Sequence, residues 1–402
     1  MIRASARCTT AVVAGLLWLT PPLASAANLQ EGFTAATRLD AELRSIAARR
    51  EAALARAARA DSLLPGAPVA ALAYRSDQLS GNRGLREYEG ELDVPVWLPG
   101  EARALRQAAE AAVTSLDAQG ARRRLLLAGE VRTAYWNWAM ADAARAAAQQ
   151  RVTLARSLER DTARQVRGGN MPQTEALLAL ADLREAEASL QTAELDRRAA
   201  AIAFRTLTGT MPSAGPPESP APGRVATDPR IGAAQAAIGA AQREERLVAA
   251  RDRANPEIGV QLRYERDAFE QPWGTRVLLR MAIPFQNPPL QRERLAEARA
   301  AMSAGVAELH SAERTVASAA DAARATRETA EAVMVTAQAR HDAVRRQAAL
   351  AEAALRAGQL PLIELVRVRG QLADADAALR RARVNAARSV SVLNQAQGVL
   401  PE

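Results

Sequence analysis

Two stretches of this chain, roughly Gly100 to Val166 and Leu290 to Leu355, run on for many turns without a proline. Proline removes a helix donor and clashes with the preceding turn, so its absence leaves each stretch free to form one uninterrupted helix. At 1.5 Å per residue each helix reaches about 100 Å. No single-core domain accommodates such a rod. Its partners must be other helices, packed lengthwise through alanine-rich seams. Aromatic residues make up only 3% of the chain and every basic residue except two histidines is arginine, which suits long helices. On the helices alone, a filamentous coiled coil fits equally well.

The chain is also duplicated. Val94-Pro95 recurs as Ile283-Pro284, an offset of 189 residues, and Arg167-Gly-Gly-Asn-Met-Pro172 recurs at the same offset as Arg356-Ala-Gly-Gln-Leu-Pro361. Tyr74-Arg-Ser-Asp77 recurs as Tyr264-Glu-Arg-Asp267 with one residue of slippage. Residues 27–210 form the first repeat and 224–402 the second, joined by the proline-rich stretch 211–223, which cannot hold a helix and reads as an extended connector. Each repeat is expected to run helix, two strands, very long helix, Gly/Pro break, helix. In the first repeat the strands fall near 69–77 and 87–97, with helices over 100–166 and 172–208. In the second they fall near 256–266 and 274–285, with helices over 290–355 and 361–397. The class is mainly α with a small β part.

The strands alternate. One face of the second strand carries Tyr88, Leu92 and Val94, and the other carries Glu89, Glu91 and Asp93. The third sets Val260 and Leu262 against Gln261 and Arg263, and the fourth sets Val277, Leu279 and Ile283 against Arg276 and Arg280. Residues 69–77 alternate only weakly. Strands of about 9–11 residues with one apolar and one charged face meet the requirements of a transmembrane β-barrel. Leu92, Val94, Val260, Leu262, Val277, Leu279 and Ile283 would then face lipid, while Glu89, Glu91, Asp93, Gln261, Arg263, Arg276 and Arg280 line a wet lumen. Tyr74, Tyr88, Trp97, Tyr264, Phe269, Trp273 and Phe285 lie in or beside these strands, as interfacial girdles do. Four strands cannot close a barrel, and open edges in lipid leave backbone groups unsatisfied, so copies of the chain must combine.

The first residues read as a secretory leader over 1–26: Arg3 and Arg7, an apolar run from Ala11 to Leu19, and Ala24-Ser25-Ala26 before a cleavage point. Cys8, the only cysteine, precedes that run, so the mature chain has no disulfide, thiolate ligand or cysteine nucleophile. Later segments contain no apolar run of transmembrane-helix length. The net charge of +8 falls to about +6 without the leader, and its arginines alternate with acids, which argues against nucleic-acid binding.

The duplicated order, the strand exits Val94-Pro-Val-Trp-Leu-Pro-Gly100 and Ile283-Pro-Phe285, and the two helical breaks with Glu175 and Glu364 three residues beyond each proline together resemble the TolC family of outer-membrane efflux proteins. The resemblance implies a homotrimer with a twelve-stranded barrel in the outer membrane above an α-helical barrel through the periplasm. It also implies a passive exit duct, served by a periplasmic adaptor and driven by an inner-membrane transporter. Carried over, Arg167, Gly168, Gly169 and Pro172 with Arg356, Gly358 and Pro361 are the periplasmic tips where the pore is gated and the adaptor docks. The same residues also make an ordinary structural turn. Relatives of this compact type often serve heavy-metal export, so metal cations are the cargo that the resemblance suggests, with drugs or proteins as alternatives.

No catalytic or cofactor motif stands out. His310 and His341 lie 31 residues apart on one expected helix, hence about 45 Å apart, and cannot share a metal within one chain. The methionines are scattered, and the cluster Tyr135-Trp136-Asn137-Trp138 suits a wedge between helices. The competing reading is a soluble periplasmic coiled-coil protein, structural or adaptor, which neither duplicated hairpins nor interrupting strands favour.

Overall fold

A computed structural model of the chain describes residues 26–223 and 227–401. The expected leader lies, but for Ala26, outside the described residues. The chain begins with β1 (Ala26–Ala27), α1 (Leu29–Leu39) and α2 (Ala41–Arg59), then strands β2 (Val69–Ser76) and β3 (Arg86–Pro95). Helices α3 (Glu101–Arg167) and α4 (Gln173–Thr208) follow, then β4 (Met211–Pro212) and α5 (Pro229–Ala250). Strands β5 (Glu257–Arg266) and β6 (Gly274–Ala282) and helices α6 (Pro288–Arg356) and α7 (Leu362–Ala396) complete it.

The two long helices have 67 and 69 residues. α3 starts beyond Gly100, whose φ of +80° turns the strand exit into the helix. Glu101, almost wholly buried there, accepts hydrogen bonds from Arg251 Nε at 2.7 Å and Asn255 Nδ2 at 2.6 Å, bracing helix against sheet. α6 starts with Asn287 as its cap and Pro288 in the first turn, where a missing N–H costs nothing.

Beside the sheet the helices contact one another in the order α2, α3, α5, α6; beyond it the order is α4, α3, α7, α6. Neighbours touch along their length, so the helices form one layer in place of a bundle around a central core. Small residues make the seams. α6, at the edge of the layer, buries only Val316, Ala320, Ala323 and Ala348.

The densest packing lies halfway along α3. Tyr135, Trp136 and Trp138 are buried with Leu127, Val131, Phe33 and Phe204, and Trp136 Nε1 donates to Ser391 Oγ at 2.9 Å. The aromatic cluster is therefore a wedge between helices. Where one helix opens the second repeat, the first repeat has two. Asp40 ends α1 and caps α2 by accepting from Leu43 N at 2.7 Å, which breaks the expected single helix.

The proline-rich stretch is less free than a plain connector. β4 pairs in parallel with β1, Ala26 opposite Met211. Further on, Glu218 takes the buried guanidinium of Arg132 at 2.6 Å, and Arg132 also donates to Gln395 Oε1 and Val399 O. The stretch is strapped onto α3 and the C-terminus. This region also carries the duplication past α4 and α7. Gly209 and Gly398 both have positive φ, +73° and +76°, each followed two residues later by an apolar residue and a proline, Met211-Pro212 and Leu400-Pro401.

Candidate functional site

The four longer strands form one antiparallel sheet in the order β2-β3-β5-β6. Its register aligns Leu72, Gly90, Leu262 and Val277 in one row and Ala70, Leu92, Val260 and Leu279 in the next, with Val94, Ile258 and Met281 together below them. All these side chains share one face. Among the described residues nothing covers it: Leu72 is 90% exposed and Leu279 75%. Exposed apolar surface on this scale marks a contact with something outside the chain. The outer edges of β2 and β6 carry no partner strand among the described residues.

The opposite face is charged. Arg263 pairs with Glu87 at 2.8 Å and Glu89 at 3.5 Å, and Arg276 with Glu265 at 2.8 Å. Arg280 reaches both Glu91 and Asp93 at 2.8 Å, and Gln261 donates to Glu89. These are cross-strand neighbours, and the guanidinium fork lets one arginine serve two carboxylates. Gly259, opposite Asp93, leaves the room this needs, since a Cβ there would lie 2.3 Å from Asp93 Oδ1.

The seven residues read as lumenal therefore share one face, and six of the seven read as lipid-facing share the other. Ile283 is the exception. It falls beyond β6, because Pro284 has no N–H to extend the ladder, although it is still exposed. Sequence reasoning left out Glu87 and Arg75 on the charged face. Alternation carried two residues back from Glu89 finds Glu87, and the pairing of β2 with β3 finds Arg75.

At the end of the sheet away from the helices, the apolar face closes in aromatic rings. Tyr264 stacks on Trp273 at 4.6 Å, and Tyr88 lies 4.9 Å from Tyr74 and 6.0 Å from Trp273.

The two helical breaks have the same geometry. In the first, Gly169 N donates to Val166 O and Asn170 N to Gln165 O, with Gly169 at φ +75°. In the second, Gly358 N donates to Leu355 O and Gln359 N to Ala354 O, with Gly358 at φ +71°. Both are Schellman turns. Gly168, at φ −81°, stays right-handed. Arg167 Nε and Arg356 Nε each bond the carbonyl four residues back at 3.3 Å, where the helix carbonyls attract cations. Pro172 and Pro361 cap α4 and α7. The structure also brings the breaks together: Met171 and Leu360 pack on one cluster of Leu158, Ala179, Leu362 and Leu365.

Among the described residues, no group of three His, Cys, Asp or Glu is arranged to hold a metal, and no helix is long and apolar enough to cross a membrane. His310 is exposed on α6, while His341 is mostly buried between Asp342 and Asp376.

Residues 35–210, nearly the whole first repeat, match the family model described as "Outer membrane efflux protein". No curated protein matches the chain in sequence. Several solved structures share its fold. CusC, a transmembrane channel, is 14% identical with a TM-score of 0.76 over 94% of this chain and 93% of its own. The Campylobacter jejuni CmeC outer membrane channel is 14% identical, TM-score 0.72, over 98% and 94%. The Neisseria gonorrhoeae MtrE outer membrane channel, in its open state, is 19% identical, TM-score 0.70, over 92% and 89%.

Proposed function

We propose that this chain belongs to the TolC family of outer-membrane efflux channels, a reading that the sequence of its first repeat and its fold support, and works as a homotrimeric exit duct. Three copies close a twelve-stranded barrel in the outer membrane, β6 of each copy pairing with β2 of the next. The helical layers join into a tube through the periplasm. The two Schellman turns stand at its far end, where a periplasmic adaptor docks on Arg167, Gly168, Gly169, Pro172, Arg356, Gly358 and Pro361. Cargo moves passively, driven by an inner-membrane transporter, and the charged lining suits hydrated metal cations more than apolar drugs.

One observation carries this reading. Among the described residues the sheet is uncovered on its apolar face and unpaired at both edges, at one end of helices about 100 Å long. In water, such a face and such edges would drive aggregation; in lipid, the face is solvated by acyl chains and only ring closure satisfies the edges.

Fractionation tests it. The full-length chain is expected in outer membranes as a heat-modifiable oligomer three times the monomer mass. Recovery as a soluble monomer from periplasmic extract rejects the duct.

A further inference from the structure

The aromatic end of the apolar face holds a cation that the duct itself does not use. Arg266 lies opposite Arg86 in the register, and both alternate onto the same face as Tyr88 and Tyr264. Arg86, whose guanidinium carbon lies 5.9 Å from the Phe269 ring centre, donates to Asp77 Oδ1 at 3.1 Å, Leu85 O at 2.6 Å and Asn82 Oδ1 at 3.2 Å. Arg266 is held differently. Its guanidinium carbon sits 5.2 Å from the Phe269 ring centre and 5.0 Å from that of Trp273, and its Nε donates to Gly84 O at 3.3 Å. Among the described residues its two terminal nitrogens make no hydrogen bond, and no carboxylate pairs with it.

The site is built by loop packing, which the sequence does not announce. Phe269 N donates to Arg83 O at 3.2 Å, so the β5–β6 loop lies against the β2–β3 loop. Gly84, at φ +105°, allows that approach, because a Cβ there would stand 2.2 Å from Phe269 N. The guanidinium plane is thus fixed between two rings before any ligand arrives, with its paired N–H groups unspent.

We propose that Arg266 binds the phosphate of a lipid headgroup in the outer leaflet. This rests on the duct reading, which sets the aromatic end of the sheet at the outer surface. A fixed guanidinium fork matches two phosphate oxygens, and stacking on Phe269 and Trp273 holds its plane. Tyr88, Tyr264 and Trp273 offer apolar flanks to the first acyl carbons, as interfacial aromatics do. A sugar headgroup without phosphate gives the fork nothing to pair with.

The test uses full-length protein extracted from outer membranes in detergent and stripped of lipid. Native mass spectrometry then measures retention of a bis-phosphorylated lipid A and of the same glycolipid with its phosphates removed. Wild type is expected to keep the phosphorylated form and lose the other, a comparison that needs no variant. Arg266→Gln is expected to lower retention about tenfold, the effect of one charge-assisted phosphate contact. Arg314→Gln, which removes an exposed charge from α6, is expected to leave it unchanged. Equal retention of both glycolipids, or equal retention by Arg266→Gln, overturns the proposal. Recovery of wild type as an outer-membrane oligomer separates these results from a failure of the duct reading, in which no such oligomer is obtained.

Discussion

Asp40 does two jobs with one carboxylate. It caps α2 and takes Arg123 Nη2 at 2.6 Å, and Arg123 bonds Glu130 as well. The hydrogen bond from Arg123, helped by the N–H of Leu43 and opposed by burial, holds the Asp40 carboxyl below its ordinary value of 3.8. A carboxyl depressed in the folded state stabilises above its unfolded pKa, and that stabilisation is lost as pH falls through the folded value. Asp40→Asn keeps the cap and discards the charge. We expect a loss of about 1–2 kcal/mol at neutral pH and a shallower fall in stability at acid pH, read from denaturation midpoints across the acid range. The helical breaks offer a second comparison. Gly169→Ala forces an alanine into left-handed backbone at a cost of about 1–2 kcal/mol, while Gly168→Ala, at a right-handed position, is expected to be nearly neutral in the same melts.

At the scale of elements, adjacent residues of β6 make opposite demands. Leu279 is on the apolar face and Leu278, opposite Gln261, on the charged one. Leu279→Arg is expected to cost about 2–4 kcal/mol in lipid and to abolish the heat-modifiable oligomer, while Leu278→Arg leaves assembly intact. Equal assembly of the two would mean the faces are assigned wrongly. Strands β3, β5 and β6 are legible in the sequence because apolar and charged residues alternate over most of their length. The place of β2 is legible too, but its faces are not, since Ala70, Ala71 and Ala73 fit either one, and only pairing with β3 decides which side Leu72 and Tyr74 take. The break at Asp40 is similarly hidden, because the helical pattern continues on both sides of it.

Over the whole molecule, the charged face of the sheet carries six carboxylates, Glu87, Glu89, Glu91, Asp93, Glu257 and Glu265, against four arginines, Arg75, Arg263, Arg276 and Arg280. Closing a ring of copies multiplies that excess and encloses it in low-dielectric walls, which focuses the field. The assembled duct is therefore expected to prefer cations in planar bilayers, with a reversal potential of the corresponding sign under a KCl gradient. Glu91→Gln with Asp93→Gln is expected to reduce the preference. The exposed length of α6 belongs to this scale too. A 69-residue helix buries only four residues in its own chain, and in the proposed trimer a neighbouring copy would supply the rest of its seam.

The kind and approximate length of the long helices and of the four longer strands are properties of the sequence alone. Missing prolines permit long helices, paired glycines and prolines end them, and period-two alternation marks strands, because each is a local constraint on backbone and side-chain direction. Which elements meet is decided only in three dimensions. The salt-bridged ladder of Arg263 and Arg280, the strap between Arg132 and Glu218, and the seating of Arg266 between two rings all join residues distant in sequence or brought together by loop packing. Local propensity has no term for such contacts, so their partners emerge only once sheet register and helix packing have been set.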